Sequence, residues 1–295
     1  MREFQDRVAV VTGAASGIGR ALAGQCAREG MRVVLADVDE EPLQSAAAEL
    51  TAAGARVLAV RTDVSQTGEV EALAEKTLTT FGAVHLLCNN AGVGAGLSTW
   101  EASMEDWTWV LGVNLWGVIH GVRAFVPRML EHGMEGHVVN TASIAGLLPF
   151  SPCAPYQVSK AAVVSLTENL DESLRLRDAK VRASVLCPGW VRTRILESER
   201  LRPGGPVQPQ SPPSEQMRAM FEMARQAVEH GLAPEQVALQ VFDAIREQRL
   251  YIFTESEFTD VMRAHFESIL AARHERTASS QSAPGIPEGD AHPYH

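Results

Sequence analysis

A repeated switch between short β-branched runs and helical stretches of a dozen residues or more is the strongest constraint on how this chain can fold. Val8–Val11 ends at Thr12-Gly13, and a helical stretch follows from about Gly17 to Glu29. Arg32–Ala36 reads as a second strand and Glu40–Ala53 as an Ala/Leu/Glu-rich helix; Arg56–Val60 precedes a helix over Gln66–Phe81. Val84–Cys88 is a fourth strand, followed by a long helix expected from Glu105 to Leu130. Strand Gly136–Asn140, helix Ala154–Leu176 and strand Val181–Cys187 continue the pattern. Runs this short and this apolar have no wet face, so they belong inside a parallel sheet covered on both sides. Right-handed crossovers then give a Rossmann-type, doubly wound α/β fold with helices on both faces of the sheet.

Two regions leave this rhythm. Arg202–Pro213 is rich in Pro and Gly and reads as a loop. It is followed by helices over Ser214–His230 and Pro234–Gln248, a short strand Leu250–Phe253 and a last helix over about 256–274. Pro234 suits a first helical turn, where its missing N–H costs nothing. The remaining tail is Ser, Pro, Gly and Ala with little apolar content, so residues 276–295 are expected to be disordered. A single domain over residues 1–275 is expected.

Composition excludes several functions. Thirty-six acidic against 26 basic residues give a net charge of −10, and no basic cluster exists to track a nucleic-acid backbone. No continuous run of 18 or more apolar residues suits a bilayer, and no secretory leader is apparent, so a cytoplasmic protein without a membrane partner is expected. The four cysteines are scattered and the nine histidines lack ligand spacing; reduced thiols and no metal site follow.

Three features carry chemistry. Thr12–Gly19, with Gly13, Ser16, Gly17, Ile18 and Gly19, sits where the first strand hands over to a helix. Glycines there allow a tight turn, and the helix N-terminus offers free N–H groups to a pyrophosphate. A plain turn is the bland alternative for such a triplet. Asp37 closes the second strand, where a carboxylate can accept from ribose hydroxyls and repel a 2′-phosphate; helix capping is its bland alternative. Ser16 and Val38 stand where a cation would otherwise neutralise that phosphate, so NAD is favoured over NADP. Tyr156 and Lys160 lie four apart on one helix face, 13 residues after Ser143. A phenol of pKa about 10 must release its proton about 4 kcal/mol more easily to work near pH 7. An ammonium about 4 Å away supplies about that much at an intermediate dielectric. Burial opposes it, which leaves a role for the positive charge of an oxidised nicotinamide.

Thr12-Gly-Xaa-Xaa-Xaa-Gly-Ile-Gly19, Asn89-Asn-Ala-Gly92, Asn114, Ser143, Tyr156-Xaa-Xaa-Xaa-Lys160 and Pro188-Gly-Xaa-Val-Xaa-Thr193 occur in order. In this set the chain resembles the short-chain dehydrogenase/reductase family, over roughly residues 5 to 253. The resemblance implies Tyr156 as general acid/base and Lys160 as holder of the nicotinamide ribose. It implies Ser143 as hydrogen-bond donor to the substrate oxygen and Asn114 as support for a proton-relay water. Asp63 and Val64 would flank the adenine, and Asn90, Ala91 and Gly92 would line the middle of the cofactor. Pro188, Gly189, Val191 and Thr193 would cover the nicotinamide. The family likeness also implies a homotetramer or homodimer through helices at about 105–130 and 154–176.

Leu147, Phe150, Cys153, Trp190, Met217 and Phe221 are the expected substrate-pocket residues, with a loop or lid over about 190–232. The apolar spacing of Met217, Met220, Phe221 and Ala224 suits either a lid underside or ordinary packing. Trp100, Trp107, Trp109 and Trp116 read as packing residues. No charged residue is evident in the pocket, which points to a hydrophobic, including aromatic, secondary alcohol and its ketone. An NADPH-dependent ketoreductase and a non-catalytic dinucleotide sensor are the alternative readings. The stretch from His230 to about Ile269 is similar to the carboxyl-terminal region of bacterial dehydrogenases of aryl side-chain alcohols in lignin-fragment breakdown.

Overall fold

The computed structural model describes residues 1–94, 96, 98–150, 152–205 and 214–272. Strands β1 (Val8–Thr12), β2 (Arg32–Asp37), β3 (Val57–Arg61), β4 (Leu86–Asn89), β5 (Gly136–Thr141), β6 (Val181–Cys187) and β7 (Tyr251–Phe253) form one sheet. Its order is β3-β2-β1-β4-β5-β6-β7, and every pairing is parallel. This is the Rossmann-type arrangement expected from the strand–helix beat. The chain reverses direction of winding between β1 and β4, and ligands of open α/β sheets bind where neighbouring strands leave that switch point.

Alternation along β1 divides the core. Ala9 and Val11 pack with Leu22 and Cys26 of helix α1 (Gly17–Arg28), Leu43 of α2 (Glu40–Ala52) and Phe242 and Ile245 of what becomes α8 (Pro234–Glu247). Val8 and Val10 face the opposite layer, with Leu73 of α3 (Thr67–Phe81), Phe125 of α5 (Gly117–Glu131) and Leu174 of α6 (Ala154–Leu176). Successive residues of a strand point to opposite faces, so one apolar run nails down both layers. Phe125 and Phe242 are fully enclosed, and truncating either to Ala costs about 4 kcal/mol.

The long helix expected over residues 105–130 is interrupted. It runs as α4 (Met104–Leu111), one π-helical turn over Gly112–Trp116, and α5. By length and composition the run Met104–His132 is apolar enough to cross a membrane. In this fold, however, Ala124, Phe125 and Met129 are buried in the core. Single-turn π segments inside helices gather at functional sites, and this one carries Asn114. Two 3₁₀ segments were not evident from sequence, Ile144–Gly146 after β5 and Ile195–Leu201 before the Pro-rich stretch. At three and seven residues they are too short to show a hydrophobic period.

Helix α7 (Glu215–His230) and α8 fall within two residues of the expected limits. Residues 1–256 form one compact unit. The segment from Glu257 is a separate unit, in which α9 (Thr259–Ala272) carries Val261, Phe266, Ile269 and Leu270 as exposed apolar residues. The expected disordered tail at 276–295 and most of the Pro-rich stretch lie outside the described residues.

Candidate active site

A cleft of about 2090 Å³ opens over the carboxyl ends of the central strands. Its floor at one end is the β1–α1 turn. Gly13 and Gly17 adopt left-handed backbone angles, with φ of +66° and +53°. A Cβ on Gly19 would collide with the Gly13 carbonyl, and one on Gly13 would sit 2.8 Å from Ala91 Cα. Only glycine fits either position. Ser16 is extended at the N-cap of α1 and makes no side-chain cap bond, so the first N–H groups of α1 keep their capacity for an anion.

The turn is tied to β4. Thr12 Oγ1 accepts from the backbone N–H of Asn90 at 2.9 Å and of Ala91 at 3.1 Å, and Asn90 Nδ2 donates to Thr12 O at 3.1 Å. Thr12 thus sets the Asn90–Gly92 wall, a structural part that its place in the motif did not reveal. Asp37 Oδ2 accepts from Ala15 N and Oδ1 from Asp39 N, both at 3.0 Å. Each oxygen keeps a lone pair for a further donor. Burial pushes the Asp37 carboxyl upward, against these backbone bonds. Asp63 Oδ1 accepts from both the N–H and the hydroxyl of Ser65, which holds Asp63 and Val64 on the same wall.

At the other end stand Ser143, Tyr156 and Lys160. Pro155 lies in the first turn of α6 and leaves Tyr156 and Lys160 on one face, with Lys160 Nζ 5.5 Å from the centre of the Tyr156 ring. Lys160 is buried and donates to Thr141 O at 2.9 Å. Desolvation holds its ammonium down at about 8 and pushes the Tyr156 hydroxyl up to about 12, the Ser143 hydroxyl pulling the phenol back. The expected acidifying effect of Lys160 on the phenol is therefore not met in the ligand-free protein. One donor of Lys160 is given to the Thr141 backbone carbonyl, and burial is the largest influence on the phenol.

Asn114 is fully buried and does not reach the cleft wall. Its Oδ1 accepts from Val93 N at 2.8 Å, and Nδ2 donates to Val93 O at 2.9 Å and Ser159 Oγ at 3.1 Å. Asn114 Oδ1 and Lys160 Nζ both lie 3.4 Å from where a Cβ on Gly92 would sit, so they flank one narrow gap. Asn114 is the buried residue of the π turn.

Pro188, Gly189, Trp190, Val191 and Thr193 follow β6 along the cleft. Thr193 closes on the glycine-turn side, its Cγ2 3.0 Å from a Cβ placed on Gly17. Of the expected substrate residues, Phe150, Cys153, Trp190 and Phe221 line the cleft. Leu147 does not; it packs inward against Val118, Val163 and Val185. Met217 is also absent from the wall, because the cleft-facing stripe of α7 begins a turn later with Met220, Phe221, Ala224 and Val228.

The cleft as a whole also carries charged side chains that the sequence did not reveal. Asp106, Trp109 and Arg202 share the wall, with Arg202 buried, paired to Asp106 and Glu199 and stacked 4.4 Å over the Trp109 ring. Trp109 is thus a cleft residue and not packing alone. Trp100 and Trp116 are exposed. These residues are separated by some 90 positions in sequence and no local motif links them.

The comparisons agree with this geometry. The short chain dehydrogenase family profile matches residues 7–203. A short-chain dehydrogenase/reductase from Burkholderia phymatum, solved in complex with NAD, superposes with a TM-score of 0.88 at 46% identity. That match covers 98% of this chain and 100% of the other. The 1-deoxy-11-beta-hydroxypentalenate dehydrogenase of Streptomyces exfoliatus is 38% identical over 90% of this chain and 89% of its own length. The C alpha-dehydrogenase of Sphingobium sp. strain SYK-6 is 33% identical over 92% and 87%. A parallel sheet with a glycine turn at its switch point, a tyrosine and lysine one helical turn apart above it, and these matches along most of the chain lead to one conclusion: the chain belongs to the short-chain dehydrogenase family of oxidoreductases.

Proposed function

We propose that this protein is an NAD-dependent dehydrogenase that interconverts a hydrophobic secondary alcohol and its ketone. The observation that carries this reading is the convergence of Ser143, Tyr156 and Lys160 at one end of a cleft whose other end holds Asp37 and the bare glycine turn. The turn and the free N–H groups of α1 fit a pyrophosphate, and the spare lone pairs of Asp37 fit ribose hydroxyls. NAD, when bound, supplies the hydride acceptor.

The chain's own residues handle the proton. Tyr156 Oη takes the proton of the carbinol hydroxyl during oxidation and returns it during reduction. Ser143 Oγ donates a hydrogen bond to the reacting oxygen, where negative charge grows. Lys160, held by Thr141 O, places a cation behind the phenol and offers its remaining donors to a ribose. Asn114 fixes the Val93 backbone and the Ser159 hydroxyl beside Lys160, so that a water in the gap by Gly92 connects Lys160 to solvent. Phe150, Trp190, Met220 and Phe221 receive the apolar body of the substrate. The named activities of the hydroxypentalenate and C alpha-dehydrogenase relatives support an alcohol of this kind.

NAD reduction across aryl, alicyclic and steroid secondary alcohols tests the reading. Turnover of at least one apolar class with NAD is expected, and Tyr156→Phe should abolish it while NAD still binds. Unchanged turnover in that variant rejects Tyr156 as the acid/base. We also propose a homodimer or homotetramer through the helical stretch over about 105–130 and α6, where Trp116 of the π turn and Val158 of α6 are exposed; light scattering on the purified protein measures it.

A further inference from the structure

We propose that Asp39 is a second determinant of cofactor choice, acting by occupying Arg200 so that this cation cannot receive a 2′-phosphate. The inference rests on the reading of the cleft as a dinucleotide site with Asp37 at the adenosine ribose.

Arg200 belongs to the 3₁₀ segment Ile195–Leu201, which follows the nicotinamide-side residues Pro188–Thr193. It lines the same cleft as Asp37, Val38 and Arg61. Its guanidinium pairs with the carboxylate of Asp39, 161 positions away in sequence. Both side chains are mostly shielded, at 29% and 23% exposure, so the pair is not of the fully solvated kind that contributes nothing. Asp39 stands at the N-cap of α2 yet makes no side-chain cap bond. An aspartate there normally caps the helix and stabilises it by about 1 kcal/mol. Here the carboxylate turns to Arg200 instead.

Position gives the pair its meaning. Asp39 N–H is bonded to Asp37 Oδ1 at 3.0 Å, and the Asp39 charge helps push the Asp37 carboxyl upward. Arg200 therefore reaches the rim of the site where Asp37 meets a ribose. A free guanidinium at that rim is a phosphate receptor, with five donors in a planar fork. Paired with Asp39 it is neutralised, and the charge of Asp37 is left unopposed by Arg200. Discrimination against a 2′-phosphate thus has two parts, one carboxylate that repels it and another that occupies Arg200.

The test is binding of NAD+ and NADP+ to the ligand-free protein by titration calorimetry, with no turnover required. Asp39→Asn keeps an N-cap residue of equal quality, so α2 should fold and melting curves should match wild type. The expected result is about tenfold tighter NADP+ binding in Asp39→Asn, the size of one recovered charge-assisted contact, with NAD+ binding within about twofold of wild type. The double variant Asp39→Asn with Arg200→Gln should lose that gain. NADP+ affinity unchanged in Asp39→Asn, or a gain that survives the loss of Arg200, overturns the proposal. Absence of NAD+ binding in the wild type would instead overturn the reading of the cleft itself.

Discussion

The two ends of the cleft are built on different principles. At the nucleotide end the walls are backbone: the Gly13–Gly19 turn, the Thr12 tie to Asn90 and Ala91, and the amides that clasp Asp37. Added atoms at Gly13 or Gly19 meet main chain at once. At the proposed substrate end the wall includes Met220, Phe221 and Ala224, side chains of a helix of which only Val228 is buried. A main-chain wall cannot be changed one residue at a time without unfolding the turn. A side-chain wall can, and this is how a shared cofactor chemistry is combined with differing substrates.

If the division holds, Tyr156→Phe, at the meeting point of the ends, should have the largest effect. A fall in kcat of about 10³-fold is expected with NAD affinity unchanged, measured by steady-state kinetics and calorimetry. A loss of NAD affinity in parallel would mean that the two ends are not separable. Next comes Arg202→Met, which leaves Asp106 and Glu199 without their buried cation. Stability to urea should drop by about 3 kcal/mol, and a change under 0.5 kcal/mol would show that the cluster does not hold the substrate wall. Asp37→Asn should then weaken NAD binding by about 2 kcal/mol, roughly 30-fold in Kd, with the melting temperature nearly constant.

Phe221→Ala is expected to lower kcat/KM for an apolar alcohol about tenfold while NAD affinity stays fixed. An equal loss for small polar alcohols would place Phe221 in packing and not in substrate contact. The finest measurement concerns Lys160. Burial lowers its ammonium from 10.5 to about 8, so between these values the unfolded chain holds more protons than the native one. Stability of the wild type relative to Lys160→Met should accordingly rise with pH across that window. Urea midpoints at several pH values check the sign, and a flat difference would show that Lys160 titrates normally.

Much of this was readable without coordinates, for a stated reason. Helix Ala154–Leu176 and strand Val181–Cys187 agree with expectation to the residue, because Pro155 marks the start of one and Pro188-Gly189 breaks the chain directly after the other. The glycine-turn end of the cleft was legible because a backbone-built wall is written in glycines and in the residues at strand ends. Leu147 and Met217 were misplaced because apolar character fixes burial but not which partner buries a side chain. The continuous apolar period of residues 105–130 gave no sign of the π turn, since one extra residue barely disturbs it. The Asp106–Arg202–Trp109 cluster was invisible, because a charged residue in a Pro/Gly-rich stretch reads as solvated until the fold covers it.

The sequence by itself determined the sheet, its winding, the glycine turn and the placing of Tyr156 and Lys160 on one helix face, all consequences of local spacing and of which residues tolerate which backbone angles. Tertiary structure alone decided the proton affinities and the charge pattern of the cleft. Burial set the Tyr156 hydroxyl near 12 and Lys160 near 8, and long-range closure paired Arg202 with Asp106 and Arg200 with Asp39. Both depend on how much water the surrounding fold removes and on which distant charges it brings close, and neither quantity is a property of a short stretch of chain.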